Sequence, residues 1–148
     1  MATVNRRGQA VTALLAALNT ITTANGYLND VASVTEIFEP SEAHAPSELP
    51  AALYLDDGVE KDVRLITNQR VLVTFQADVL AYVTTPRDIN AFDADIKRAL
   101  CLDSTLGGVV TSVVPVEQQF RSNDSSKTSG KFIRPFEITY TANLQEGA

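Results

Sequence analysis

From about Thr3 to Asn25 the apolar residues Val4, Val11, Leu14, Leu15, Leu18 and Ile21 recur at steps of three, four and seven, the spacing of an amphipathic helix with one buried stripe. Asn25-Gly26 offers a stop, because both residues tolerate the left-handed conformation of a helix end. Val31 to Phe38 gains β-branched and aromatic residues and predicts a first strand. Glu39 to Pro50 holds three prolines and three acids and reads as an exposed loop. Ala51 to Leu55 predicts a short strand, and Asp57-Gly58 a tight turn after it.

The clearest strand runs from Val71 to Val83. One face presents Val71, Val73, Phe75, Ala77, Val79, Ala81 and Val83, and the other Leu72, Thr74, Gln76, Asp78, Leu80 and Tyr82. An all-apolar face beside a mixed one predicts a sheet with a core on one side and water or a partner on the other. Thr85, Pro86 and Asp88 then give a helix start, as N-cap, first helical residue and third-position carboxylate. The predicted buried stripe of that helix is Ile89, Phe92, Ile96, Ala99 and Leu100, with Asp93, Asp95, Lys97 and Arg98 on the exposed side. Gly107-Gly108 ends it. Val109 to Phe120 predicts a strand that Pro115 confines to an edge or a bulge. A polar, Ser-rich stretch from Arg121 to Lys131 follows, and Phe132 to Ala142 alternates again. The expected fold is therefore α+β, a mostly antiparallel sheet of four to five strands packed against two helices, with a long C-terminal β-hairpin in a single domain over residues 1–148.

At 148 residues the chain fits one domain with a real core. It has one Cys and one His, so neither an intramolecular disulfide nor a Cys/His zinc site can form. No apolar run approaches the ~20 residues of a membrane span, and the segment from Met1 to Arg7 is polar, so no leader or anchor is expected. His44 lies in a loop with no partner to orient it, and reads as a solvated side chain. Cys101 continues a buried stripe and reads as a small core residue. Asp88, Asp93 and Asp95 resemble a metal cluster, yet positions 93 and 95 stand about 200° apart on the helix wheel. No calcium loop is present. Gly107-Gly108 lacks the phosphate-cradle patterns. No catalytic, metal or cofactor site is expected.

Charge changes the picture further. The net charge is −6, but the stretch from Glu36 to Asp62 holds eight acids, Glu36, Glu39, Glu42, Glu48, Asp56, Asp57, Glu60 and Asp62, against Lys61, a local charge of −7. Arg121, Lys127, Lys131 and Arg134 against Asp124 make the late hairpin +3. Opposite charges on separate surfaces of one subunit suit a head-to-tail contact between copies.

The segments ALNTITTANGY, SELPAALYLDDGVE, RVLVTFQADVLAYV and DINAFDADIKRALCLDSTLGG, followed by a long hairpin, resemble the tail terminator proteins of tailed bacteriophages. The resemblance covers nearly the whole chain in the order of its elements. It implies a non-enzymatic virion protein of the neck, made in the host cytoplasm, that forms a hexameric ring, caps the tail tube and stops its polymerisation. The ring would offer a surface to the head-tail connector or stopper protein and pass double-stranded DNA without specific binding; no cofactor and no membrane are implied. Six copies of a −6 chain would carry −36, and acids facing the lumen would keep DNA from sticking. On this reading the eight acids are lumen or ring-contact candidates. Arg121, Lys127, Lys131 and Arg134, with Leu72, Leu80 and Tyr82 on the mixed strand face, are candidate contacts with a neighbouring subunit or the tube. Two alternatives stay open: a head-completion or stopper protein of the same neck, and a small α+β enzyme or ligand-binding domain using Asp78 or Tyr82.

Overall fold

A computed structural model describes residues 5–31, 33–37, 51–83, 89–117, 120–123 and 130–143. Along the chain these are helix α1 (Arg6–Leu18), strands β1 (Ser33–Ile37), β2 (Ala51–Leu65) and β3 (Arg70–Val83), helix α2 (Ile89–Cys101), and strands β4 (Ser112–Pro115), β5 (Phe120–Asn123) and β6 (Gly130–Asn143). The strands form one sheet in the order β1-β2-β3-β6-β4, with β5 also on β6. Every pairing is antiparallel except β1 with β2. The fold is α+β as expected, with six strands where four to five were expected. The extra strand arises after Pro115, where the expected single strand divides into β4 and β5, both pairing with β6. Proline has no N–H to extend the ladder.

The apolar face of β3 is buried from Val71 to Ala81, with Val73, Phe75, Ala77 and Val79 between them. Across the β3–β6 register they meet Ala142, Tyr140, Ile138, Phe136, Arg134 and Phe132 in turn. Ala10, Val11, Leu14 and Leu18 of α1 and Ile89, Phe92, Ile96, Ala99 and Leu100 of α2 close over this face. Phe75 and Tyr140 pack edge to face, 5.9 Å between ring centres and at 69°. Each fully buried Leu or Phe here contributes roughly 1.5–3 kcal/mol.

Three expected elements differ. The first helix ends at Leu18 and not at Asn25, because Asn19 Nδ2 and Thr20 Oγ1 donate to the carbonyls of Leu15 and Ala17 at 3.0 and 2.6 Å. Those side chains offer the backbone an alternative to another helical turn. Gly26 does adopt a left-handed φ of +87°, but it closes the short 3-10 turn Thr23–Asn25. The tight turn at Asp57-Gly58 is absent: β2 runs straight through it, with register shifts between Asp57 and Glu60 and between Glu60 and Asp62. A Cβ on Gly58 would stand 2.5 Å from the Gln76 carbonyl oxygen, so this glycine serves close strand approach at a bulge. Finally, Asp93 and Asp95 are buried, not exposed. The expected cap at Thr85, Pro86 and Asp88 and the loop from Glu39 to Pro50, with His44, lie outside the described residues.

Candidate interaction surface

Both helices lie on one side of the sheet, and the other side is the mixed face of β3 with its neighbours. Its centre is a polar lattice. Lys61 Nζ donates to Gln76 Oε1 at 3.2 Å and pairs with Glu137 at 2.9 Å. Gln76 Nε2 donates to Asp78 Oδ1 at 2.9 Å, and the hydroxyls of Thr74 and Thr139 meet at 3.0 Å. Asp78 stands across the register from Asp56 on one side and from Pro135 on the other. Of the three expected apolar contacts, Leu72 and Tyr82 are half-buried, whereas Leu80 is 8% exposed. Leu80 is paired with half-buried Ile133 and lies diagonally next to buried Pro135, so little of its surface is open within the single chain.

The eight acids do not form one cluster. Glu36 is half-buried and stands opposite Leu55 on the helix side, beside a cavity of about 400 Å³ that Asn5 and Arg7 also line. Asp56 belongs to the opposite face. Glu60 lies 3.9 Å from the half-buried Arg7, and Asp62 lies 3.1 Å from Arg64 in a pair largely in solvent. An exposed pair such as Asp62–Arg64 contributes ~0–1 kcal/mol. Arg7 also donates to the Gly58 carbonyl oxygen and stacks 4.6 Å over the Phe75 ring, tying the start of α1 to the bulge of β2. Asp57 is placed in β2 by its backbone. Glu39, Glu42 and Glu48 lie outside the described residues.

The basic set is also divided. Arg121 and Lys131 are placed by their backbones in β5 and β6, and Lys127 lies outside the described residues. Arg134 is committed within the chain: its Nε and Nη2 donate to the two oxygens of Asp93 at 2.8 and 2.6 Å, and its Nη1 to the Val116 carbonyl at 2.8 Å. Its charge is neutralised against α2, which corrects its assignment to the exposed basic hairpin. The same alternation that buries Phe132 and Phe136 puts Arg134 on the helix side, and this was the available sequence signal.

Asp95 performs a different task. Its carboxylate accepts from the backbone N–H of Leu28 and Asn29 and from Asn29 Nδ2 at 2.9–3.0 Å, and so fastens the α1–β1 connection to α2. Arg98 adds a bond of 2.6 Å to the Gly26 carbonyl and stacks 4.8 Å over Tyr27. Asp93 and Asp95 flank the buried stripe from opposite sides. The ~200° between them, which excludes a shared metal, is what lets one reach β6 and the other the connection.

No metal-ligating group of three or more His, Cys, Asp or Glu side chains occurs among the described residues, nor does a helix long and apolar enough to cross a membrane. Burial raises the Cys101 thiol pKa, a rise that the Lys97 charge partly offsets. A thiol held protonated is a poor nucleophile. Asp103 is held below the usual carboxylate range by the Thr105 hydroxyl first, then by the backbone N–H groups of Gly107 and Thr105. Those bonds organise the turn in which Leu106, Gly107 and Gly108 all take positive φ.

The remaining feature is an edge. β1 covers β2 only from Ala52 to Asp56, so beyond that point the outer side of β2 carries no strand among the described residues. There Glu60, Lys61, Asp62 and Arg64 alternate in charge, and Val63, Leu65 and Ile66 are 54%, 62% and 50% exposed. An uncovered strand edge with apolar side chains is a template for association. No protein-family model matches the chain, and no curated protein matches it significantly.

Proposed function

We propose that the chain is a structural protein of the phage neck that joins copies of itself into a ring, caps the tail tube and offers the surface to which the head connector attaches. The reading begins with the resemblance of the four quoted segments to tail terminators. The structural observation that supports it is the outer edge of β2 from Glu60 to Leu65. It presents backbone hydrogen-bonding groups, the exposed side chains of Val63 and Leu65 with Ile66 just beyond, and charges of both signs. A closed ring needs two different surfaces on each subunit, one docking into the other on the next copy. The bulge and the charges restrict that edge to a partner of matching pattern, since a flat apolar edge would pair indiscriminately. In this arrangement the protein acts by shape and charge, makes and breaks no bond, and lets DNA pass a channel whose acidic residues repel phosphate.

Negative-stain imaging of virions labelled against this chain tests the reading: label at the junction of head and tail is expected, and label elsewhere on the particle would refute it. Mass measurement of the chain mixed with tail tube protein should show a ring on the tube end, while binding to the portal adaptor alone identifies a stopper instead. Deleting Ser122 to Gly130 should leave unjoined heads and tails or overlong tails. Normal virions from that deletion would remove the loop from the joining surface.

A further inference from the structure

Beyond the cover of β1, every residue of β2 from Glu60 to Leu65 is exposed. Ile66, just past the strand, donates its N–H to the Arg70 carbonyl at 2.9 Å, and this sets the alternation of the ladder. Arg64 turns its backbone groups towards β3, and Val63 and Leu65 turn theirs outwards. Among the described residues no strand takes those outward groups.

The side chains alternate along the same run. Asp62 and Arg64 stand in register with Thr74 and Leu72 on the mixed face, whereas Val63 and Leu65 stand with Val73 and Val71 on the helix side. Val73 and Val71 are buried, while Val63 and Leu65 keep 54% and 62% exposure at the rim of the same core. Of the four charges, Glu60 and Lys61 reach inwards to Arg7 and Glu137. Asp62 and Arg64 pair with each other along the strand, at 53% and 71% exposure. So exposed a pair can exchange partners at little cost.

We propose that two copies of this chain pair β2 to β2 along this edge, antiparallel about a two-fold axis at Val63, so that each sheet continues into the other. Asp62 of one copy then faces Arg64 of the second, and the symmetry repeats the contact. Val63 meets its own counterpart, bonding N–H to carbonyl in both directions, and Leu65 lies diagonally next to it. The charge order selects this register. Moving the axis to Arg64 sets that arginine against itself, and moving it to Asp62 sets two carboxylates against each other. Like charges directly opposite are destabilising, so the edge matches a second copy in one alignment. The pair occupies the edge that the ring would use, and is therefore a resting form of the free chain that opens before copies join on a tube. It is argued from the edge of the single chain and does not depend on the ring.

Sedimentation equilibrium of the full chain from ~1 μM to ~1 mM tests the pairing. The mass should rise from 16.0 kDa and level at twice that value, with affinity falling as salt is raised. Asp62→Arg and Arg64→Asp each set like charges opposite at two places and should weaken pairing roughly tenfold or more. An equimolar mixture of those two variants restores opposite charges at both places and should form a mixed dimer. Val63→Pro removes an outward N–H while leaving the bonds to β3 in place, and should weaken pairing without any change of charge. Melting temperatures confirm that each variant is folded; if one charge variant is not, the double exchange Asp62→Arg with Arg64→Asp decides, and should pair like the parent chain. A mass that stays at one chain throughout, a mass that passes two chains, or a mixture that fails to pair would overturn the proposal. Those outcomes leave the virion-labelling test of the ring untouched, and label away from the neck would leave the dimer standing.

Discussion

Asp93 of α2 and Arg134 of β6 form a two-pronged ion pair across the margin of the core, with N–O distances of 2.8 and 2.6 Å and only 12% and 13% of the side chains exposed. It joins the second helix to the sheet. Replacing Arg134 with Met leaves the nearly buried Asp93 carboxylate with its 3.5 Å pairing to Lys97 and without the two guanidinium bonds, and should cost up to about 3 kcal/mol in urea unfolding. The double replacement Asp93→Leu with Arg134→Met should recover most of that loss, because desolvation of two charges offsets much of their attraction. Additive losses would show that the pair is not an interacting unit.

Asp95 makes its contribution through backbone donors. Asp95→Ala leaves the N–H groups of Leu28 and Asn29 without their acceptor, and a loss of roughly 2–4 kcal/mol is expected. Amide hydrogen exchange should accelerate most at Leu28 and Asn29. Uniform acceleration through the whole core would place the effect elsewhere.

Gly58→Ala should destabilise by about 2 kcal/mol or more, since the new Cβ would press within 2.5 Å of the Gln76 carbonyl oxygen, and backbone must move to make room. Thermal unfolding measures this directly. An unchanged melting temperature would mean that the bulge in β2 can slide.

Asp103 is fully exposed, yet three hydrogen bonds favour its ionised form. Its titration midpoint by NMR should lie below that of an ordinary aspartate, and Thr105→Val should move it back up by removing the largest cause. With the folded pKa lowered, the stabilisation is present above the normal carboxylate range and fades as pH falls through the folded value. A midpoint unmoved by Thr105→Val would remove the hydroxyl from that account.

Period and punctuation in the sequence determine most of the fold. The strict alternation from Val71 to Ala81 allows one buried face, and the 3.6-residue stripe of Ile89, Phe92, Ile96 and Leu100 does the same for α2, because burying apolar area dominates the energy of each element. Local signals failed where a long-range contact outweighed them. Asp57-Gly58 favours a turn, but pairing across β3 and the close approach to Gln76 draw it into one strand of 15 residues. Asp93 and Asp95 look solvated on a wheel, and only the positions of Arg134 and of the Leu28 and Asn29 amides make their burial favourable. Charge totals likewise come from the sequence alone. Which charges face solvent and which neutralise one another were decided by tertiary structure, since electrostatic energy depends on distance and exposure and not on order along the chain.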